Sequence, residues 1–205
     1  VWIEIDRDNN AMCILDDGIG MTPDDFQNKF LKIGYTKRKN NRYKSISGRP
    51  YIGRKGIGKL ALLSCAQRIH IATKTERTSV IGGIIDNSGL DKAITDDLNS
   101  QDYKLGQLEK DFSTEMSKID HGTLIFFDHV TNGIFNTIEY IKKAIALYFR
   151  FSLIDSDFKI FVNNEQITEE LLSEFADNTQ FIWTINGIKD PFVSSMKNLQ
   201  ENVNI

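Results

Sequence analysis

The chain has 205 residues, with 25 Lys and Arg against 28 Asp and Glu, 40% hydrophobic and 10% aromatic content. These values fit one large domain, or one domain and the start of a second, with enough apolar surface for a full core, and they exclude wholesale disorder. No stretch approaches the roughly eighteen consecutive apolar residues of a membrane span, and the opening Val-Trp-Ile-Glu-Ile-Asp lacks the features of a secretory signal, so a soluble cytoplasmic protein with no membrane partner is expected. Cys13 and Cys65 form neither a metal-ligand pair nor a disulfide framework and read as strand core and helix core.

Trp2 to Ile5 and Ala11 to Leu15 alternate apolar and polar residues around the turn composition Arg7-Asp8-Asn9-Asn10, which predicts a β-hairpin. Its second strand runs into Asp16-Asp17-Gly18-Ile19-Gly20-Met21. Thr22-Pro23-Asp24-Asp25 then combines an N-cap hydroxyl, a proline at the first helical position and acids in the first turn. Phe26, Phe30 and Ile33 make the apolar stripe of that helix, which ends near Gly34. Residues 36 to 50 are polar without a period and read as a loop that closes in Gly53-Arg54-Lys55-Gly56-Ile57-Gly58-Lys59, directly before the strong helix former Leu60 to Ala66.

Strands are predicted at Ile69 to Thr73, Val80 to Ile85 and Gly122 to Phe127. The mildly acidic stretch between Asp86 and Lys118 reads as an insertion or long connection. Ile138, Ile141, Ala144, Ile145, Tyr148 and Phe149 form a helical stripe, with Lys142 and Lys143 placed on the opposite side. A strand over Phe158 to Val162 turns at Asn163-Asn164. A short helix at Thr168 to Phe175 and a strand at Phe181 to Ile185 complete the set. The mixture with hairpins predicts an α+β two-layer sandwich whose mixed, mostly antiparallel sheet carries helices on one face.

Charge is unevenly spread. Between Lys37 and Lys59 lie nine of the 25 basic residues and no acid, leaving 16 bases against all 28 acids elsewhere. Such a window is either a solvated basic loop or a surface that meets negative charge. The glycines inside it favour the second. Gly53 to Lys59 offers closely spaced backbone N–H groups at a helix start, where the dipole also favours anions, and Arg54, Lys55 and Lys59 add cations. This is the composition of a phosphate cradle, although a glycine hinge before a helix has the same composition. The segment matches a P-loop except that Leu60 stands where a Ser or Thr hydroxyl should reach the metal, and no buried strand leads into it, so that reading is rejected.

The earlier turn places the Asp16 carboxylate at a strand end beside residues without side chains. A planar ligand such as adenine, with an exocyclic amine to donate, fits there; a plain Asp-Gly turn before a capped helix fits equally. In this order, with a helix and a basic loop between them and Gly122-Thr123 later, the two turns resemble the GHKL (Bergerat-fold) ATPases. That superfamily includes type II topoisomerase ATPase subunits, chaperones of the ninety-kilodalton class, MutL, Microrchidia proteins and sensor histidine kinases.

The resemblance implies that Asp16 rather than Asp17 takes the adenine amine, and that Gly18, Gly20 and Met21 line the base. It implies that Gly53, Arg54, Lys55, Gly56, Ile57, Gly58 and Lys59 hold the triphosphate, and that Thr123 assists at the adenine side. ATP with magnesium, a lid over about 36–59, an insertion over about 86–118 and nucleotide-dependent homodimerisation follow from it. It runs to about Ile167, giving a nucleotide-binding domain at 1–167 and an extension or following domain at 168–205. In the family an upstream helix supplies the glutamate that activates water and the asparagine that binds magnesium. The chain begins after that position, and Glu4 lies on a strand in the wrong place to substitute, so neither a catalytic base nor a metal ligand is assigned.

A long basic lid favours a Microrchidia-like, MutL-like or chaperone-like clamp ATPase over a histidine kinase, with DNA or a protein as client. The alternatives are a nucleotide-gated interaction module with little hydrolysis, and a domain whose glycine turns are incidental. His70, His121 and His129 lack ligand spacing and are expected in structural or surface roles. Tyr35 and Thr36 either contact phosphate or serve packing and capping.

Overall fold

The computed structural model describes residues 1–32, 35, 44, 48, 60–87, 107–184, 190–198 and 201–204. Most of the basic loop, Thr36, the whole of Gly53 to Lys59 and residues 88–106 of the expected insertion lie outside the described residues. The chain divides into two compact units, Val1–Phe135 and Asn136–Ile205.

In the first unit, β1 (Trp2–Asp6) and β2 (Ala11–Asp16) form the expected hairpin. They are joined by β3 (Ala66–Lys74), β4 (Ile81–Asp86) and β5 (Gly122–Val130) in the order β4-β3-β5-β2-β1, every neighbour among these five antiparallel. The helix predicted over Leu60 to Ala66 covers Leu60–Cys65, and Ala66 begins β3 instead.

Strand alternation sorts the side chains of this sheet into two faces. One face carries the cross-strand rows Met12–Phe127–Ile69 and Ile14–Ile125–Ile71, set by the registers of β2 on β5 and β5 on β3. Phe26 packs on this face with Phe30, Met21 and Leu62. The helix that brings Phe26 there starts as expected. Thr22 accepts from the Asp25 amide, and Asp25 reaches back to the Thr22 amide in a reciprocal capping box. After one α-turn at Pro23–Asp25 the backbone widens to a π-turn over Phe26–Phe30, with the Leu31 amide bonded to the Phe26 carbonyl. A wider turn brings residues four apart closer to line, and the Phe26 and Phe30 rings stack at 5.7 Å with 8° between planes. Ile33 and Gly34 lie outside the described residues.

The other face of the sheet has its own core, Leu15, Ala72 and Leu124, covered by Phe112, Met116 and Ile119. The stretch read as an insertion is therefore core-forming in its last part. Leu108, Phe112, Met116 and Ile119 repeat at helical spacing, and the helix turn Ser113–Met116 lays them on the sheet. Cys13 packs in this cluster as expected, and burial pushes its thiol up to about 12, which keeps it inert. His70 is buried between Phe112 and Phe126, edge-on to both rings, and desolvation lowers its pKa.

In the second unit the predicted helix spans Ile138–Tyr148, followed by the turn Arg150–Leu153. Its expected faces need correction. Lys142 is 4% exposed, its ammonium held by Glu139 at 2.8 Å and Glu165 at 2.5 Å, while Tyr148 and Phe149 are exposed. A long aliphatic stem buries well when two carboxylates meet its charge, which a pattern of apolar residues cannot register. The strand at 158–162 shortens to β6 (Phe161–Val162), hairpinned to β7 (Glu165–Gln166) through Asn163 and Asn164, both at positive φ. A 3-10 turn (Glu169–Leu172) and a helix (Ser173–Asn178) replace the single helix expected at Thr168 to Phe175. β8 (Phe181–Thr184) pairs in parallel with β9 (Glu201–Asn204). No helix of the described residues is long and apolar enough to cross a membrane.

Candidate functional site

The first sheet face described above ends in a third row, and that row is polar. Asp16 of β2 lies opposite Thr123 of β5, which lies opposite Thr73 of β3. Residues opposite one another point the same way, so a carboxylate and two hydroxyls continue the apolar rows Met12–Phe127–Ile69 and Ile14–Ile125–Ile71 at one end of the strands. A ligand with an apolar body and a polar edge matches such a surface.

Asp16 is half-buried and Asp17 exposed. Desolvation raises the Asp16 pKa, opposed by hydrogen bonds from the backbone of Gly18 and Thr123. The Gly18 amide donates to Asp16 Oδ1 at 2.8 Å. A carboxylate has two oxygens and about four lone-pair directions, so these two amides orient it while leaving capacity to accept from a ligand.

Close approach of backbone requires glycine at position 20 of the turn. Gly20 has φ +67°, and a Cβ there would stand 1.8 Å from the Lys74 carbonyl oxygen. The turn thus leans directly on the end of β3. Met21 follows, half-buried, its amide donating to Thr73 Oγ1 at 3.0 Å. Gly122 has φ +146°, and a Cβ there would meet the Asp16 carbonyl oxygen at 1.9 Å. At Gly18 an added Cβ would meet only the Asp16 side chain, at 2.7 Å from Oδ1.

Asp16, Gly18, Gly20, Met21 and Thr123 therefore lie together around this end of β2, β3 and β5. Gly53, Arg54, Lys55, Gly56, Ile57, Gly58 and Lys59 fall outside the described residues. Two participants were not singled out by the sequence reading. Thr73 is fully buried and joins Met21, Gly122 and Thr123; its signal is the alternation Ile69-x-Ile71-x-Thr73, in which the polar member ends an apolar face. His121 was expected in a structural or surface role, and it ties the turn: its Nδ1 lies 2.6 Å from the Gly18 carbonyl oxygen and its Nε2 3.8 Å from Glu76. A carbonyl only accepts, so Nδ1 carries the proton. Among the described residues no group of three or more His, Cys, Asp or Glu is placed to hold a metal ion.

The chain is 27% identical over 205 residues to a protein of Herpetosiphon aurantiacus named "Putative type II restriction enzyme HgiDII". The alignment covers 99% of this chain but 32% of that relative, so the chain spans about a third of the curated protein it matches. A family model described as "Histidine kinase-, DNA gyrase B-, and HSP90-like ATPase" matches residues 1–123, which include the hairpin, the Asp16 turn, the glycine-rich segment and the Gly122-Thr123 strand start. On that match over more than half its length, and with the α+β fold described above, the chain belongs to the histidine kinase-, DNA gyrase B- and HSP90-like ATPase family.

Proposed function

We propose that this chain is the nucleotide-binding part of a GHKL-type ATPase in which hydrolysis of ATP is coupled to lid closure and dimer clamping. The observation that carries the reading is the polar row Asp16–Thr123–Thr73 at the end of an apolar sheet face, with the Gly18–Gly20 turn beside it. An adenine lying there would give its exocyclic amine to Asp16, with Met21 beside the ring. Thr123 assists at the same edge. Gly53 to Lys59 would hold the triphosphate through backbone amides and the cations of Arg54, Lys55 and Lys59. Magnesium, arriving with the triphosphate, would neutralise phosphate charge. The nucleotide-binding domain is taken as 1–167, with 168–205 as an extension or following domain. The relative's name supports a DNA-related system, with DNA as a proposed client of the longer protein.

The decisive experiment is magnesium-ATP binding and turnover by the full-length protein, set beside the 205-residue chain alone. Binding with turnover by the full-length protein is the expected result. Binding without turnover would instead identify a nucleotide-gated interaction module, and no binding by either would remove the assignment.

His121 gives a second, smaller test. Because its Nδ1–H holds the Gly18 carbonyl, His121→Ala should weaken ATP binding about fivefold, the worth of one partly exposed hydrogen bond. Unfolding should be little changed. Unaltered affinity in a calorimetric titration would mean that the turn holds its shape without the imidazole.

A further inference from the structure

On the sheet face opposite the polar row, a titratable ring is buried without a polar partner. His70 is 3% exposed, and neither of its ring nitrogens has a hydrogen-bond partner among the described residues. It stands between Ile84 of β4 and Phe126 of β5, with Cys13 of β2 next in the same row. Phe112 closes over it, so the imidazole meets the Phe112 and Phe126 rings edge-on at 5.8 and 5.7 Å. Phe112 belongs to the segment 108–119, whose Met116 and Ile119 pack on Leu15, Ala72 and Leu124. Four charges act on the ring: Arg68 of β3 and Lys110 oppose a further proton, whereas Asp128 of β5 and Glu109 favour it. Arg68 and Glu109 are paired at 2.6 Å, and the Lys110 ammonium lies 3.7 Å from the centre of the Phe126 ring. β4 adds Asp86, opposite Arg68, and the Cys13 thiol, pushed up to about 12, stays uncharged near neutrality. With two charges of each sign, loss of water decides the balance against a proton. An imidazolium also has two N–H donors, and neither would find an acceptor in this place.

We propose that His70 is an acid-sensitive latch: when it takes a proton below neutral pH, the segment 108–119 leaves this face of the sheet while the strands beneath remain paired. The segment is the weaker element. Its regular structure is the single helix turn Ser113–Met116, and Glu109 and Lys110 are exposed, whereas β3 and β5 each have a bonded strand on both sides. Release gives the ring water on both nitrogens at the cost of uncovering Leu15, Ala72 and Leu124. In water the ring has its ordinary value of 6.5, and under Phe112 its value is lower. The closed form is therefore fully favoured above pH 6.5 and loses its advantage as pH falls below 6.5, by at most about tenfold per pH unit for one proton, until the lowered value is reached. This latch stands independently of the nucleotide-binding reading.

Hydrogen exchange of the full-length protein, read by mass spectrometry from about pH 7.5 down to about pH 4.5 and corrected for the intrinsic pH dependence of exchange, tests the latch. The Met116 and Ser117 amides, bonded to the Phe112 and Ser113 carbonyls, are its reporters. Their protection should be constant above pH 6.5 and fall below it, approaching about tenfold per pH unit, while β3 and β5 keep theirs. His70→Phe, which keeps an aromatic ring but cannot take a proton, should abolish the fall, and so should His70→Gln, which is polar and uncharged at every pH. A folded variant of either kind that retains the fall would overturn the proposal. Protection independent of pH in the unaltered protein would do the same, as would equal losses in β3 and β5, the mark of general acid unfolding. Should neither variant fold, the onset in the unaltered protein decides: a fall beginning only below about pH 5, where carboxylates take protons, would assign the release to acids and not to His70.

Discussion

Replacing Asp16 with Asn should weaken ATP binding about a hundredfold or more, the upper range for a hydrogen bond to a charged group whose replacement also opposes the ligand. The Gly18 amide fixes the orientation of the side chain at 2.8 Å from Oδ1. An asparagine would keep its oxygen on that amide and turn its NH2 toward the adenine amine, so two donors would face each other. The fold should be retained or gain stability. Desolvation raises the native pKa of Asp16 above its ordinary value of 3.8, so the folded state prefers the protonated side chain more than the unfolded state does. Its stabilising contribution is complete below pH 3.8 and is lost as pH rises through the raised native value. ATP affinity follows the opposite course, because only the carboxylate is free to accept from the amine: it falls as pH drops through that same raised value. A binding titration across acid pH, beside unfolding curves for both proteins, would show the two trends crossing. Undiminished affinity in Asp16→Asn would eliminate Asp16 as the group that holds the base.

Gly122→Ala and Gly18→Ala should separate folding from binding. At Gly122 the backbone is at φ +146° and an alanine Cβ would lie 1.9 Å from the Asp16 carbonyl and 2.8 Å from Ile119 Cδ1. Strand β5 would have to withdraw from β2 at the row that carries the site. Backbone strain and overpacking together should cost about 3 kcal/mol or more, read from denaturant unfolding. At Gly18 the only obstacle is the movable Asp16 carboxylate, 2.7 Å from the added methyl, so stability should change by about 0.5 kcal/mol or less. Displacing the carboxylate should nonetheless weaken ATP binding about tenfold. A Gly122→Ala protein of unaltered stability would mean that the approach of β5 to Asp16 is relaxed at little cost.

Much of the site was legible because it is local. The Asp16 turn, the Thr22 cap and the ends of the hairpin depend on residues within a few positions of one another, and side-chain period and turn chemistry report such relations directly. Gly122-Thr123 was identified through its resemblance to a family pattern. Core placement was less legible wherever burial relied on a partner. Lys142 is buried because Glu139 and Glu165 meet its charge, and the short repeat Leu108, Phe112, Met116 and Ile119 is embedded in a polar stretch that masks its period.

From its order of residues alone, the chain determined the first hairpin and the strands that become β3, β4 and β5, where the first helix begins and that a carboxylate stands beside two glycines. Only the tertiary structure decided that Thr73 and His121 belong to the same place, because their contacts with Met21 and Gly18 span 52 and 103 positions. The physical reason is register. The pairing of β2, β5 and β3 aligns Asp16, Thr123 and Thr73 in one row, and shifting any strand by a single residue would turn its member of the row to the other face.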